Sequence, residues 1–184
     1  LARVVEIQQG VTGGAFVGAG DPSAMEESLK DLFHLGGVSL HELTDARIWI
    51  EILVTQLACE RGTEEDFSML VANVDKAAAL LQQGLYDEKI DVHVEFHNIL
   101  ARATHNPVMV MLMAAMMELM REFSHKIGGE KHDLAIKARR KFLRHLVNRD
   151  ADKAVAAMEQ HLKQLQKRYT RIQEIQPSGK DVVS

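Results

Sequence analysis

Asp91–Leu100 reads DVHVEFHNIL, and the way this stretch is wound decides the fold. At about 100° per residue the surrounding segment sorts cleanly. Asp91, Glu95, Asn98 and Arg102 form one narrow polar stripe. Ile90, Val94 and Ala101 lie on one side of it, and Val92, Phe96, Ile99 and Ala103 on the other. His93 and His97 fall with the first apolar group, on a face that must be buried. Glu95 points roughly 160° away from both imidazoles. The glutamate is therefore not their partner, although the spacing first reads like a catalytic or metal motif.

The same periodicity runs outward in both directions, with little period-two alternation. It predicts seven helices, near Ser23–Leu35, Ser39–Arg61, Glu64–Gln83, Glu88–Thr104, Pro107–Ile127, His132–Asn148 and Ala151–Glu174. Ser39 and Thr63 are placed as N-caps, and Thr63 has Asp66 three residues on. Pro107 suits a first helical position after Asn106, while Gly36-Gly37, Gly62, Gly84 and Gly128-Gly129 are stop signals. Short links imply antiparallel neighbours, so the expected fold is all-α, an antiparallel bundle of six or seven helices. The first twenty residues differ: Val4–Ile7 and Ala15–Val17 flank the glycine-rich Gly10–Gly14, a hairpin pattern. A lone hairpin is marginal in water, so this one is expected to belong to a further domain upstream.

Composition narrows the function. A chain of 184 residues, 46% hydrophobic, suffices for one domain with a real core. The single cysteine, Cys59, excludes a disulfide framework and any multi-cysteine zinc site, and points to a reducing, cytoplasmic setting. The longest apolar run, Val108–Met117, is too short for a bilayer. No basic, apolar leader opens the chain, and the first residue is Leu rather than Met, which reads as a fragment of something longer. A net charge of -4 argues against nucleic-acid binding by this body itself.

Five side chains stand out because the helical wheels send them inward. His93 and His97 are joined by Arg47 beside Leu43, Ile50 and Val54, by Arg139 within the arc of Ile136, Phe142, Leu143 and Leu146, and by His161 among Met158, Leu162 and Leu165. A buried arginine stays charged and needs a partner. Arg47 has Glu51 at i+4. Arg139 has no evident internal acid; it either snorkels to the end of the bundle or awaits an anion such as a ligand carboxylate or phosphate. Histidines at i and i+4 can reach one ion, and His161 is the candidate third ligand, so a metal site at His93, His97 and His161 competes with a metal-free polar pocket. Six of the nine methionines lie between Met109 and Met120. That helix is apolar nearly all round and reads as the central one, its methionines filling core or lining an adaptable cavity.

Catalytic templates fit poorly. Zincin chemistry needs a glutamate directly after the first histidine, where Val94 stands. A zinc deaminase needs further cysteines, and a di-iron bundle a second Glu-x-x-His beside Glu122–His125. No phosphate loop or nucleophile elbow is present.

Four segments resemble one family. TGGAFV at Thr12–Val17 is similar to the end of the wing of a winged helix-turn-helix. LGGVSLHELTDARIWIE at Leu35–Glu51 is similar to a linker and an R-x-x-x-E helix. EFHNILARATHNP at Glu95–Pro107 and RDADKAVAAMEQHL at Arg149–Leu162 complete the order. Together they resemble the effector-binding FCD domain of GntR-type transcriptional regulators of the FadR subgroup.

The resemblance implies a helical bundle around a cavity, a homodimer, and double-stranded DNA bound by an upstream winged helix-turn-helix. Residues 1–20 would be the tail of that domain, with Thr12, Gly13 and Gly14 as wing contacts, residues 21–176 the effector-binding domain, and 177–184 a tail. The effector would be a small organic acid or an acyl-coenzyme A-like molecule. In many members a divalent metal, often zinc, sits between an aspartate and three histidines. Here the aspartate position is His93 and one histidine position is Arg139, while His97 and His161 match. Arg47, His93, His97, Arg139 and His161 are thus the expected ligand-binding residues of a regulator that is not an enzyme. The alternative is a helical metalloenzyme using His93, His97 and His161.

Overall fold

The computed structural model describes residues 5–8, 14–17, 23–129 and 131–175. Among them are seven helices: α1 (Ser23–His34), α2 (Leu40–Arg61), α3 (Glu64–Gln83), α4 (Tyr86–Arg102), α5 (Pro107–Ile127), α6 (Leu134–Val147) and α7 (Ala151–Ile175). Two short strands, β1 (Val5–Gln8) and β2 (Gly14–Val17), pair antiparallel with Val5 opposite Val17. Thr12 and Gly13 lie outside the described residues, as does the tail 177–184, and Gly14 opens β2.

The helix boundaries follow local chemistry. Ser39 Oγ accepts from the Glu42 N–H at 3.2 Å while the Glu42 carboxylate accepts from the Ser39 N–H at 2.9 Å, a closed capping box. Thr63 and Asp66 repeat it at the head of α3. Asn106 caps α5 through the Val108 N–H, with Pro107 in the first turn. At Gly84 the chain turns left-handed with φ +76, which a residue without Cβ adopts freely. Gly62 is required by space instead: a Cβ there would lie 2.6 Å from the Ala58 carbonyl oxygen and 2.7 Å from the Phe67 ring. Arg149, at φ 54, closes the same corner by donating to the carbonyls of Cys59 at 2.7 Å and Gly62 at 2.6 Å.

Helix α2 packs along α7 and also touches α4, α5 and α6; α3 lies against α4 and α6, and α1 covers α5. The helix with the most neighbours is α2, not the methionine-rich α5. Helix α5 reaches the core through Met113, Ala115, Met116, Met117, Leu119 and Met120, while Val108 stays half exposed. Among the described residues no helix is long and apolar enough to cross a membrane. The consequence for the site is positional. Helices α2, α4, α6 and α7 converge, and each carries one or more of the inward polar residues.

Candidate functional site

Arg47 and Glu51 come from α2, Lys89, His93 and His97 from α4, Arg139 from α6, and His161 and Tyr169 from α7. Arg47, Glu51, Lys89, His97, Arg139 and His161 are buried, and Glu51 is fully enclosed. Of the five residues that the helical wheels send inward, Arg47, His97, Arg139 and His161 are buried and His93 is half-buried.

Their hydrogen bonds form one connected network. Arg47 Nε donates to Glu51 Oε1 at 2.7 Å, the i to i+4 pair expected from spacing. The other oxygen of Glu51 lies 2.7 Å from His97 Nδ1. His97 Nε2 lies 2.9 Å from Arg47 Nη2 and 3.0 Å from Arg139 Nη2. Arginine can only donate, so His97 Nε2 carries the lone pair and Nδ1 the proton, which it gives to Glu51. The same logic assigns His93. Arg139 Nη1 lies 2.6 Å from His93 Nδ1, so that nitrogen accepts and Nε2 holds the proton. Arg139 Nη2 also donates to the His93 carbonyl at 2.9 Å, and its guanidinium carbon stacks 4.3 Å from the centre of the Phe96 ring.

The protonation states follow from burial and neighbours. Burial disfavours a charge on Glu51, but His97 and Arg47 outweigh it and hold the carboxyl at about 2. Burial pushes His97 down to about 4 against the pull of Glu51, and burial with Arg139 nearby takes His161 to about 3. His93 is lowered by burial and by Arg139. Burial and Arg47 bring Arg139 to about 9, which still leaves it charged at neutral pH. All three imidazoles are thus neutral, and two guanidiniums face one carboxylate.

A cavity of about 70 Å³ opens beside this network. Arg47, Lys89, His93, His97, Arg139 and His161 form its polar wall, and Ile90, Met117, Met120, Ile127, Leu165 and Tyr169 much of the apolar remainder. Arg139 Nε, His93 Nε2 and His161 Nε2 are buried atoms without a hydrogen-bond partner among the described residues, and all three side chains line the cavity. Native proteins rarely leave such groups unsatisfied, and the two donors among them, Arg139 Nε and His93 Nε2, call for an acceptor.

For the metal alternative at His93, His97 and His161, no three His, Cys, Asp or Glu side chains are grouped to hold an ion among the described residues. The reason is chemical: the lone pairs of His93 Nδ1 and His97 Nε2 are directed at guanidinium donors, and the other nitrogen of His97 is bound to Glu51. The donor set present does not fit a divalent cation flanked by two arginines. Glu95 is taken by Arg102 and Asn98, as its wheel position requires. Glu122 pairs with Lys30 and His34, and His125 with Asp91, so that motif is surface ion pairing. Two features escaped the sequence reading. Lys89 is 1% exposed and lies four residues before His93 on the same face, a signal that extending the wheel by one turn reveals. Glu51 reaches His97 across 46 residues, for which no local signal exists.

A cavity with a cationic wall among packed helices is the architecture of a ligand-binding helical bundle. Residues 42–164 match the FCD domain family, and the chain belongs to that family and with it to the GntR-type regulators. Among similar proteins is the HTH-type transcriptional repressor NanR of Salmonella typhimurium, 27% identical over 154 residues, covering 76% of this chain and 54% of that protein. The NanR of Salmonella schwarzengrund is 26% identical over 147 residues, with 76% and 54% covered. The chain thus spans about half the length of the curated relatives it matches. The fold is also that of Streptococcus agalactiae GntR, with TM-score 0.67, 19% identity and 90% and 75% of the two chains covered. E. coli McbR/YncC gives TM-score 0.62 and 13% identity over 90% and 77%.

Proposed function

We propose that this chain is the sensing half of a transcription factor: a small organic acid enters the cavity, and its occupancy controls DNA binding by a winged helix-turn-helix upstream. One observation carries the reading. Arg139 is buried, keeps its charge, and has no carboxylate partner among the described residues, while donors on Arg139 and His93 and a ring nitrogen of His161 are left unsatisfied around a cavity. A ligand carboxylate supplies the missing charge and the missing acceptors together. The repressor relatives support the regulatory role, and the strands β1 and β2 suit the tail of a wing. Ligand occupancy acts by favouring one arrangement of the DNA-binding heads of a homodimer over another.

The cavity volume favours the smaller effector: about 70 Å³ suits a small acid and is far below the roughly 300–1,000 Å³ of pockets for drug-sized ligands. No observation favours the metalloenzyme alternative, since His97 has neither ring nitrogen free.

The test is mass spectrometry of small molecules released from the purified chain, followed by calorimetry with the compound identified. Arg139→Ala weakens that binding by about 10- to 100-fold, as expected for loss of a charged hydrogen bond. Unchanged affinity in a folded Arg139→Ala chain removes the proposal.

A further inference from the structure

We infer that Arg139 is an internal replacement for a metal ion: its guanidinium occupies the imidazole lone pairs a cation needs, and the cavity takes a small monocarboxylate without any metal. The inference rests on the proposed effector reading for the ligand class alone; the displacement of the metal stands on geometry.

Metal binding by histidine uses the nitrogen that carries no proton. In His93 that nitrogen is Nδ1 and in His97 it is Nε2, and Arg139 reaches them at 2.6 and 3.0 Å. His97 Nε2 is further engaged by Arg47 at 2.9 Å. A cation between these rings would have to expel one guanidinium and lie against the other. The arrangement is also built rather than incidental. Arg139 is 4% exposed, anchored by the His93 carbonyl at 2.9 Å and by the Phe96 ring at 4.3 Å.

Charge explains what the replacement preserves. The Arg47–Glu51 pair cancels and the imidazoles are neutral, so Arg139 supplies the positive charge of the network, beside Lys89 on the same wall. A divalent ion with one aspartate ligand would likewise leave a net positive charge, so either version attracts a carboxylate. The oxygens of that carboxylate supply acceptors for the unsatisfied donors at Arg139 Nε and His93 Nε2. The short apolar wall at Ile90, Met117, Met120 and Leu165 then receives a small substituent.

Two experiments on the EDTA-treated chain test this. Zinc is titrated by calorimetry, with bound metal counted by mass spectrometry after desalting, for the wild type and for the double variant His93→Asp, Arg139→His. The wild type is expected to keep no zinc in the cavity, and the double variant to gain one per chain. One zinc per wild-type chain that disappears on His97→Gln overturns the inference, and this result does not require the double variant to fold. In parallel, acetate and propionate are tested by thermal shift with EDTA or with zinc. Equal stabilisation in both supports metal-free binding. Stabilisation only with zinc overturns the inference while leaving the effector cavity intact. No stabilisation in either condition removes the small-acid reading instead, and the zinc titration still decides the role of Arg139.

Discussion

Arg139 donates to His97 at 3.0 Å, and among the described residues no carboxylate pairs with that guanidinium. The counter-charge is one residue further on: His97 passes the contact to Glu51 at 2.7 Å through its other nitrogen. A neutral imidazole thus bridges a buried cation and a buried anion. Its two ends are polarised oppositely, which strengthens both hydrogen bonds in a low-dielectric interior.

Glu51 is the only carboxylate of this network among the described residues, so its removal is expected to be costly. Glu51→Gln leaves two buried guanidiniums without a negative charge and destabilises the chain by about 3–5 kcal/mol. Urea unfolding followed by circular dichroism measures this. A change below about 1 kcal/mol would mean that solvent reaches the network.

Arg139 is expected to be less costly to remove. Arg139→Met keeps much of the volume and removes a buried charge, which offsets the donors lost to His93 and His97, so stability changes by no more than about 1 kcal/mol. Acetate stabilisation disappears in the same variant. This trade is the signature of a residue kept for binding rather than folding. A melting temperature that drops as far as in Glu51→Gln contradicts it.

Acid should weaken the fold well above the usual carboxylate range. His97 and His161 titrate near 4 and 3 in the folded chain against 6.5 ordinarily, and His93 is lowered too. Below pH 6.5 the unfolded chain therefore binds protons that the folded chain refuses. Stability falls with falling pH, by about 1.4 kcal/mol per pH unit for each excess proton. Glu51, held at about 2 from 4.5, extends the loss below pH 4.5. The groups facing these rings are the cations Arg47, Lys89 and Arg139 and the carboxylate of Glu51, whose pull upward on His97 and His161 is outweighed by burial. Urea midpoints at pH 7, 6 and 5 test it, and a flat profile across that range rejects it.

Gly62 offers a test of the scaffold rather than the site. Gly62→Ala drives a methyl into the Ala58 carbonyl and the Phe67 ring, at 2.6 and 2.7 Å. The expected cost is about 1–3 kcal/mol of overpacking. It should leave acetate affinity unchanged, because the end of α2 lies outside the cavity wall. Altered affinity would reveal coupling between that corner and the site.

How far the sequence carries can be seen in particular residues. The capping boxes at Ser39 and Thr63, the start of α5 at Pro107 and the inward faces of α4, α6 and α7 were all legible, because each depends on neighbours within one or two turns. The same local rule placed His93, His97, Arg47, Arg139 and His161 on buried faces. What it could not decide was their chemistry. Whether His93 and His97 face an ion or a guanidinium depends on contacts spanning 42 to 50 residues, set by how α2, α4 and α6 pack together. A histidine carries the same lone pair in either case. Only the tertiary structure shows that Arg139 has taken it, and that Glu51 holds the opposite proton.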